Sequence, residues 1–266
     1  MTTTFDRTTA LGTGAEDGTF AVELDPSWSS LRGLHGGYLA AIMTGAAEAL
    51  SPGRDVRTST TTFLRPSRPG PATVRVQPVR AGRTIATVAV EVEQRNRTIA
   101  TARFTLARPP DPGGATHDWQ TPPVHRPPAR VACEPLTPPE GIQHFTQASA
   151  WFDPAHVPFT SGSTARVAGH VRPLEDRPID ARWLTMILDW FPPAPFTRLR
   201  DPSVGGVSID YTVHIHRTYP SWRDDEWLEA SFEAPTSHDG MAVEHGWIGT
   251  PAGETVAESF HTRWMH

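Results

Sequence analysis

Three short stretches carry residues that could do chemistry. In "GLHGGYLAAIM" (33–43) the adjacent Gly36 and Gly37 open an apolar run that reads as a helix. Each glycine inside a helix costs about 1 kcal/mol relative to alanine, so something must approach this backbone closely. A helix N-terminus offers unpaired N–H groups and the positive end of the dipole to a developing negative charge. Preorganised donors of that kind are worth about 2.7–4 kcal/mol at a transition state. His35 could donate to the same anion or simply cap the helix, and close packing against strand backbone is the competing reason for the glycines. In "MILDWFPP" (186–193) Asp189 stands among Met186, Ile187, Leu188, Trp190 and Phe191 near the end of a second expected helix. Burial and the helix C-terminal dipole would both raise its pKa and suit it to general-base work; an ordinary solvent-exposed Asp at a helix end is the plainer reading. In "VHIHR" (213–217) His214 and His216 share a strand face, as does Ser208 by the period of two. Such a pair can ligate a metal, but no carboxylate stands beside it as a third ligand, so no metal is expected and a solvated or interface pair is the reading.

The elements that must position these residues are legible from periodicity. The apolar residues of 37–50 surround their helix, with only Glu48 charged, so other elements must wrap it. "VRTSTTTFLRP", "ATVRVQPVRAG", "TIATVAVEVEQRN" and "TIATARFTLARP" are β-branched, often alternating, and separated by turn residues, as antiparallel strands are. After "GTFAVELD", the first half therefore reads as helix, then strands. The second half repeats the order: an extended "GSTARVAGHVRPL", a helix in "DARWLTMILDW" capped by Asp180 and stopped before Pro192, and four strands to the end. Ten prolines between Pro109 and Pro139 break the pattern. This places one unit over 1–110, a proline-rich linker over 111–139 and a second unit over 140–266, an α+β design.

Composition excludes several classes. A net charge of −5 and a pI near 6.2 argue against a nucleic-acid binder. No apolar run approaches the roughly 18 residues of a membrane span, and the first residues lack a targeting pattern, so no membrane association is expected. The single Cys133 cannot form an internal disulfide and fits a reducing, cytoplasmic compartment. All 24 basic residues are arginine, which excludes lysine Schiff-base chemistry and leaves guanidinium or backbone N–H groups to meet any ligand phosphate.

In this order of elements the chain resembles the hotdog fold, and specifically a double hotdog, in which two tandem antiparallel sheets each wrap a central helix. The family it is similar to is the bacterial acyl-CoA thioesterase II group, on "GLHGGYLAAIM" and "TTFLRPSRPG" in the first half and "LDWFPP", "VSIDYTVHIHR" and "VAESFHTRWM" in the second. The resemblance implies hydrolysis of an acyl thioester of coenzyme A or of an acyl-carrier protein, without a cofactor. It also implies a water held by an Asp on the second helix, a Thr on the following strand and a Gln on the last strand. Those positions fall on Asp189, on Ser208, which keeps the hydroxyl, and on His261, which replaces the amide by a titratable ring. The expected mechanism has Asp189 deprotonating the water with Ser208 and His261, His35, Gly36 and Gly37 receiving the oxyanion, and a tunnel between the sheets holding the acyl chain. Arg65 and Arg217, near strand ends, are candidate contacts for coenzyme A phosphates, with ion pairing as the competing role.

Paired hotdog units often associate further, which leaves room for a homo-oligomer. Ser208, His261 and Asp189 are also the residue types of a nucleophilic triad, although "GVSID" lacks the G-x-S-x-G elbow. The altered Gln position keeps two other functions in view. One is a hotdog dehydratase, isomerase or cyclase acting on a thioester or polyketide-like substrate; the other is a non-catalytic acyl-ligand binding protein.

Overall fold

The computed structural model describes residues 2–109, 125–219 and 226–265. Helix α1 is Thr4–Thr8, followed by strands β1 (Gly12–Thr13), β2 (Thr19–Leu24), β3 (Ser29–Ser30) and β4 (Gly33–Leu34). Helix α2 (Gly36–Leu50) then precedes β5 (Asp55–Phe63), β6 (Gly70–Ala81), β7 (Ile85–Gln94) and β8 (Arg97–Ala107). The second half begins with β9 (Glu134–Pro135), β10 (Ala148–Phe152) and β11 (Arg166–Pro173), continues through helix α3 (Ala181–Ile187), and ends with β12 (Gly206–Ile215), β13 (Leu228–His238), β14 (Met241–Gly249) and β15 (Thr255–Met265). Residues 111–124 of the expected linker lie outside the described residues. The rest of it lies on the second unit: β9 pairs with β10, Arg126 is ion-paired to Glu229, and His170 Nε2 bonds the Pro128 carbonyl at 2.8 Å.

Alternation of buried and exposed residues, clearest along β7, gives each long strand one apolar face. Those faces turn toward α2 and α3, which pack on each other, with Thr44 Oγ1 3.4 Å from Thr185 Oγ1. The two sheets do not stay separate. Antiparallel pairing of β5 with β12, Thr61 opposite Tyr211, joins them into a continuous sheet of thirteen strands among the described residues. Edge-to-edge union removes what would otherwise be two exposed edges at the centre of the molecule.

The halves match residue by residue around this seam. Leu64 and Arg65 both donate their N–H groups to the Ile99 carbonyl, and His216 and Arg217 donate to that of Val256. Counting from these anchors, Ser59 lies opposite Phe104 as Tyr211 lies opposite His261, and both ladders shift register two pairs further on. That shift is a β-bulge. It turns Ser208 to the inner face, opposite Arg263, whereas His214 stays on the outer face opposite Glu258. The expectation that Ser208 shares a face with His214 and His216 is thereby corrected, because a period-two count fails across an inserted residue.

Candidate active site

Asp189 is the centre of the buried polar cluster. Asp180 caps α3 by accepting the Trp183 N–H, and the helix ends at Ile187, so Asp189 sits in the turn that follows. There it points at the start of α2. Its Oδ2 accepts the Gly37 N–H at 2.7 Å, and Oδ1 lies 3.2 Å from His261 Nδ1 and 3.3 Å from Arg263 Nη2. The carboxylate is 4% exposed, which rules out the solvent-exposed reading.

The expected rise in its pKa is also corrected. Burial does push the Asp189 carboxyl up, but electrostatic interaction with the His261 and His35 rings and the Arg263 guanidinium, together with the Gly37 N–H, outweighs it and holds the group below the usual carboxylate range. The sequence places Asp189 at a helix C-terminus, where the dipole disfavours an anion. The tertiary structure sets it against the N-terminus of another helix, where the dipole favours one.

The glycine pair is explained by the same contact. A Cβ on Gly37 would stand 2.6 Å from the Met186 carbonyl oxygen and 3.0 Å from Asp189 Cβ; one on Gly36 would meet Asp189 Oδ2 at 3.0 Å. The close approach is by α3 and the Asp189 side chain. His35 caps α2, its Nδ1 accepting the Tyr38 N–H at 3.2 Å while Nε2 donates to the Asp189 carbonyl at 3.0 Å. This fixes the neutral tautomer with the proton on Nε2, and burial keeps its pKa down. Both nitrogens are thus engaged with protein, and the N–H groups of Gly37 and Tyr38 are already given to side chains.

His261 lies on β15 with its ring 4.8 Å from that of Tyr211, and is 1% exposed. Neither ring nitrogen has a hydrogen-bond partner of good geometry among the described residues. Burial, reinforced by the Arg263 charge, lowers its pKa to about 3, so the ring is neutral at physiological pH. Two residues on, Arg263 gives Nε and Nη2 to Glu244 Oε1 at 3.1 and 2.8 Å, and Nη1 lies 3.5 Å from Ser208 Oγ. The other Glu244 oxygen accepts the Ala194 N–H. Arg263, Glu244 and Asp189 are all nearly inaccessible, while Ser208 is partly exposed.

The remaining sequence candidates stand elsewhere. Arg65 is exposed and donates to the Thr98 carbonyl at 2.6 Å; Arg217 is ion-paired with Glu254 at 3.4 Å. His216 and His245 share Glu258 on the outer sheet face. Among the described residues no group of three metal-ligating side chains is arranged to hold an ion.

This arrangement, a buried anion beside a neutral imidazole with free nitrogens, suits the activation of a water. The sequence matches the family models of the acyl-CoA thioesterase N-terminal domain over residues 24–107 and of the acyl-CoA thioesterase C-terminal domain over 120–265. The chain belongs to the acyl-CoA thioesterase family. It is a thioester hydrolase, and its family's substrate is an acyl-CoA thioester. Among curated proteins none matches the sequence.

Solved structures share the architecture of this thioesterase. A conserved protein with hot dog fold from Alicyclobacillus acidocaldarius superposes with a TM-score of 0.87 at 19% identity, over 100% of this chain and 99% of that one. The tesB protein of Mycobacterium avium subspecies paratuberculosis gives 0.77 at 18%, over 98% of each chain. The acyl-CoA thioesterase II TesB2 of Mycobacterium marinum gives 0.74 at 19%, over 99% and 97%. At such identities the likeness speaks to the hotdog-type fold.

Sequence reasoning about the thioesterase missed three members of the cluster. Arg263 had a signal, since it lies two residues beyond His261 and so on the same strand face. Glu244 had none, because "VEHG" reads as a solvated alternation until its pairing with His261 is known. His144 had none either. It sits in a short 3-10 turn, Gln143–Thr146, and stacks on His35 with ring centroids 4.3 Å apart.

Proposed function

We propose that the enzyme hydrolyses acyl-CoA thioesters by attack of a water activated at His261, with Asp189 as the fixed anion that orients the ring, inside a pair of hotdog units. The observation that carries this reading is the approach of Asp189 Oδ1 to within 3.2 Å of His261 Nδ1, an ion-pair distance without hydrogen-bond alignment, with no protein partner at Nε2. A proton on Nδ1 facing the carboxylate leaves Nε2 bare to accept one from water. Asp189 has both oxygens turned to protein groups, the Gly37 N–H, His261 Nδ1 and Arg263 Nη2, so in this reading it orients the ring and His261 takes the water proton. Serine attack is less well supported: the hydrogen bond of Ser208 Oγ is to Arg263. Gly36, at the start of α2, remains a candidate donor to the carbonyl. The single cysteine supports a cytoplasmic setting; a carrier-protein thioester is the second substrate considered.

The test is thiol release across short, medium and long acyl-CoAs, with the products weighed by mass spectrometry. Free acid plus thiol is expected, and Asp189→Asn and His261→Gln should each lose about 10²–10⁴-fold in kcat with the fold kept. Because the His261 pKa is lowered to about 3, the acidic limb of kcat/KM should lie well below the ordinary histidine value of 6.5. A thioester that loses water or rearranges instead of releasing thiol would point to dehydratase or cyclase chemistry. Full activity in His261→Gln would leave the imidazole only a water-positioning role.

A further inference from the structure

We propose that Arg263 is a further catalytic residue of this enzyme, its Nη1 end receiving the thioester carbonyl oxygen together with the Ser208 hydroxyl; the inference rests on the hydrolase reading above. Three observations lead there. First, the nearby helix N-terminus is largely committed: the Gly37 N–H serves Asp189 and the Tyr38 N–H serves His35. An oxyanion in this site needs donors beyond the Gly36 N–H.

Second, Arg263 is held like a preorganised donor. Glu244 grips Nε and Nη2, and Asp189 takes Nη2 as well, so the guanidinium plane is fixed from behind. Nη1 carries two N–H groups, and its neighbour is Ser208 Oγ at 3.5 Å. By accepting from Arg263, Ser208 keeps its own O–H free to donate outward. Ser208 is the partly exposed member of the group, and Arg263, Asp189 and His261 are buried behind it.

Third, the fold does not require charge here. At the register position equivalent to Arg263 the first half has Leu106, and at those of Ser208 and Glu244 it has Val56 and Val88. All three are buried in an apolar core. The same strand geometry is therefore satisfied without an ion, and burying one in the second half demands another reason.

In the resulting step, the water oxygen bonds to the carbonyl carbon while His261 Nε2 takes its proton, and the carbonyl π pair moves onto the oxygen facing Arg263 and Ser208. Collapse re-forms the carbonyl and breaks the carbon–sulfur bond. The sulfur takes the proton back from His261, so water and thioester become acid and thiol.

The experiment compares wild type with Arg263→Gln/Glu244→Gln, which removes both charges and leaves an amide to accept the Ala194 N–H. The probes are an acyl-CoA substrate and two inert coenzyme A analogues of equal chain length, a ketone with the carbonyl kept and an S-alkyl thioether without it. Wild type should bind the ketone about tenfold more tightly than the thioether. The double variant should lose that preference and about 10²–10³-fold in kcat, with KM raised by about the same tenfold factor because the ground-state carbonyl shares the contact. Retained preference with lost kcat would reduce Arg263 to a positioning residue and overturn the proposal, as would unchanged kcat. If wild type releases no thiol from any acyl-CoA, the hydrolase reading falls, while calorimetric binding of the two analogues still decides the carbonyl role. Should the double variant not fold, Ser208→Ala, which removes the hydroxyl half of the same contact and leaves Arg263 paired with Glu244, is read the same way.

Discussion

The two halves of this enzyme use one strand plan to opposite ends. Around the seam the first half carries Val56, Val88, Phe104 and Leu106, and the equivalent places in the second half carry Ser208, Glu244, His261 and Arg263. The first set is an apolar core, whose burial stabilises by about 1.5–3 kcal/mol for each large side chain. The second set gives up that gain and instead buries an ion pair and an imidazole that makes no hydrogen bond, which costs stability unless the charges are well matched. The helices differ in the same way. Helix α2 runs 15 residues through the core, whereas α3 stops after 7 and lets Asp189 leave the helix. The fold accommodates a buried polar cluster in one half while its twin supplies an ordinary apolar core.

This contrast can be broken by moving first-half residues into the second. The largest effect is expected from His261→Phe, which copies Phe104: kcat should fall by about 10²–10⁴-fold, while the overpacking cost stays near 1–3 kcal/mol. Thiol release and denaturant unfolding on one preparation separate the two. A variant that unfolds would show that the halves are not interchangeable at this place.

Next in size is the charge pair. Glu244→Val, which copies Val88, leaves the buried Arg263 cation with only Asp189 as a carboxylate partner and should destabilise by up to about 3–5 kcal/mol. Adding Arg263→Leu, which copies Leu106, should recover part of that, leaving about 1–3 kcal/mol for the Ala194 N–H that loses its acceptor. Urea midpoints test the order; a double variant less stable than the single one would contradict the comparison.

The smallest effect sharpens the contrast between the helices at the far end of α2. Burial first, and Asp180 beside it, push the Glu48 carboxyl up to about 7. The folded state therefore resists ionisation that the unfolded chain accepts from its ordinary value of 4.5. Stability is unaffected below that value, declines as pH rises through the interval to about 7, and stays lower above it. After discounting for partial exposure, the loss is about 1–2 kcal/mol. Melting temperatures from pH 4 to 8 should show the decline, and Glu48→Gln should flatten it.

The sequence by itself determined the elements and their order. β-Branched alternation marked the long strands, the Asp180 cap marked where α3 begins, and the apolar ring of 37–50 showed that α2 had to be wrapped. These are local signals, set by side-chain periodicity and capping within a few residues. Asp189, Ser208 and His261 were singled out by the family resemblance, and the structure brings them together around Arg263. Only the tertiary structure decided that Asp189 meets the N-terminus of α2, because a dipole from another element is invisible to its own neighbours in the chain. It alone decided that a bulge turns Ser208 inward and that β5 pairs with β12. It also decided that Glu244 and Arg263 neutralise each other beside the imidazole, since a buried charge is stable only with its partner and that partner lies 19 residues away on another strand.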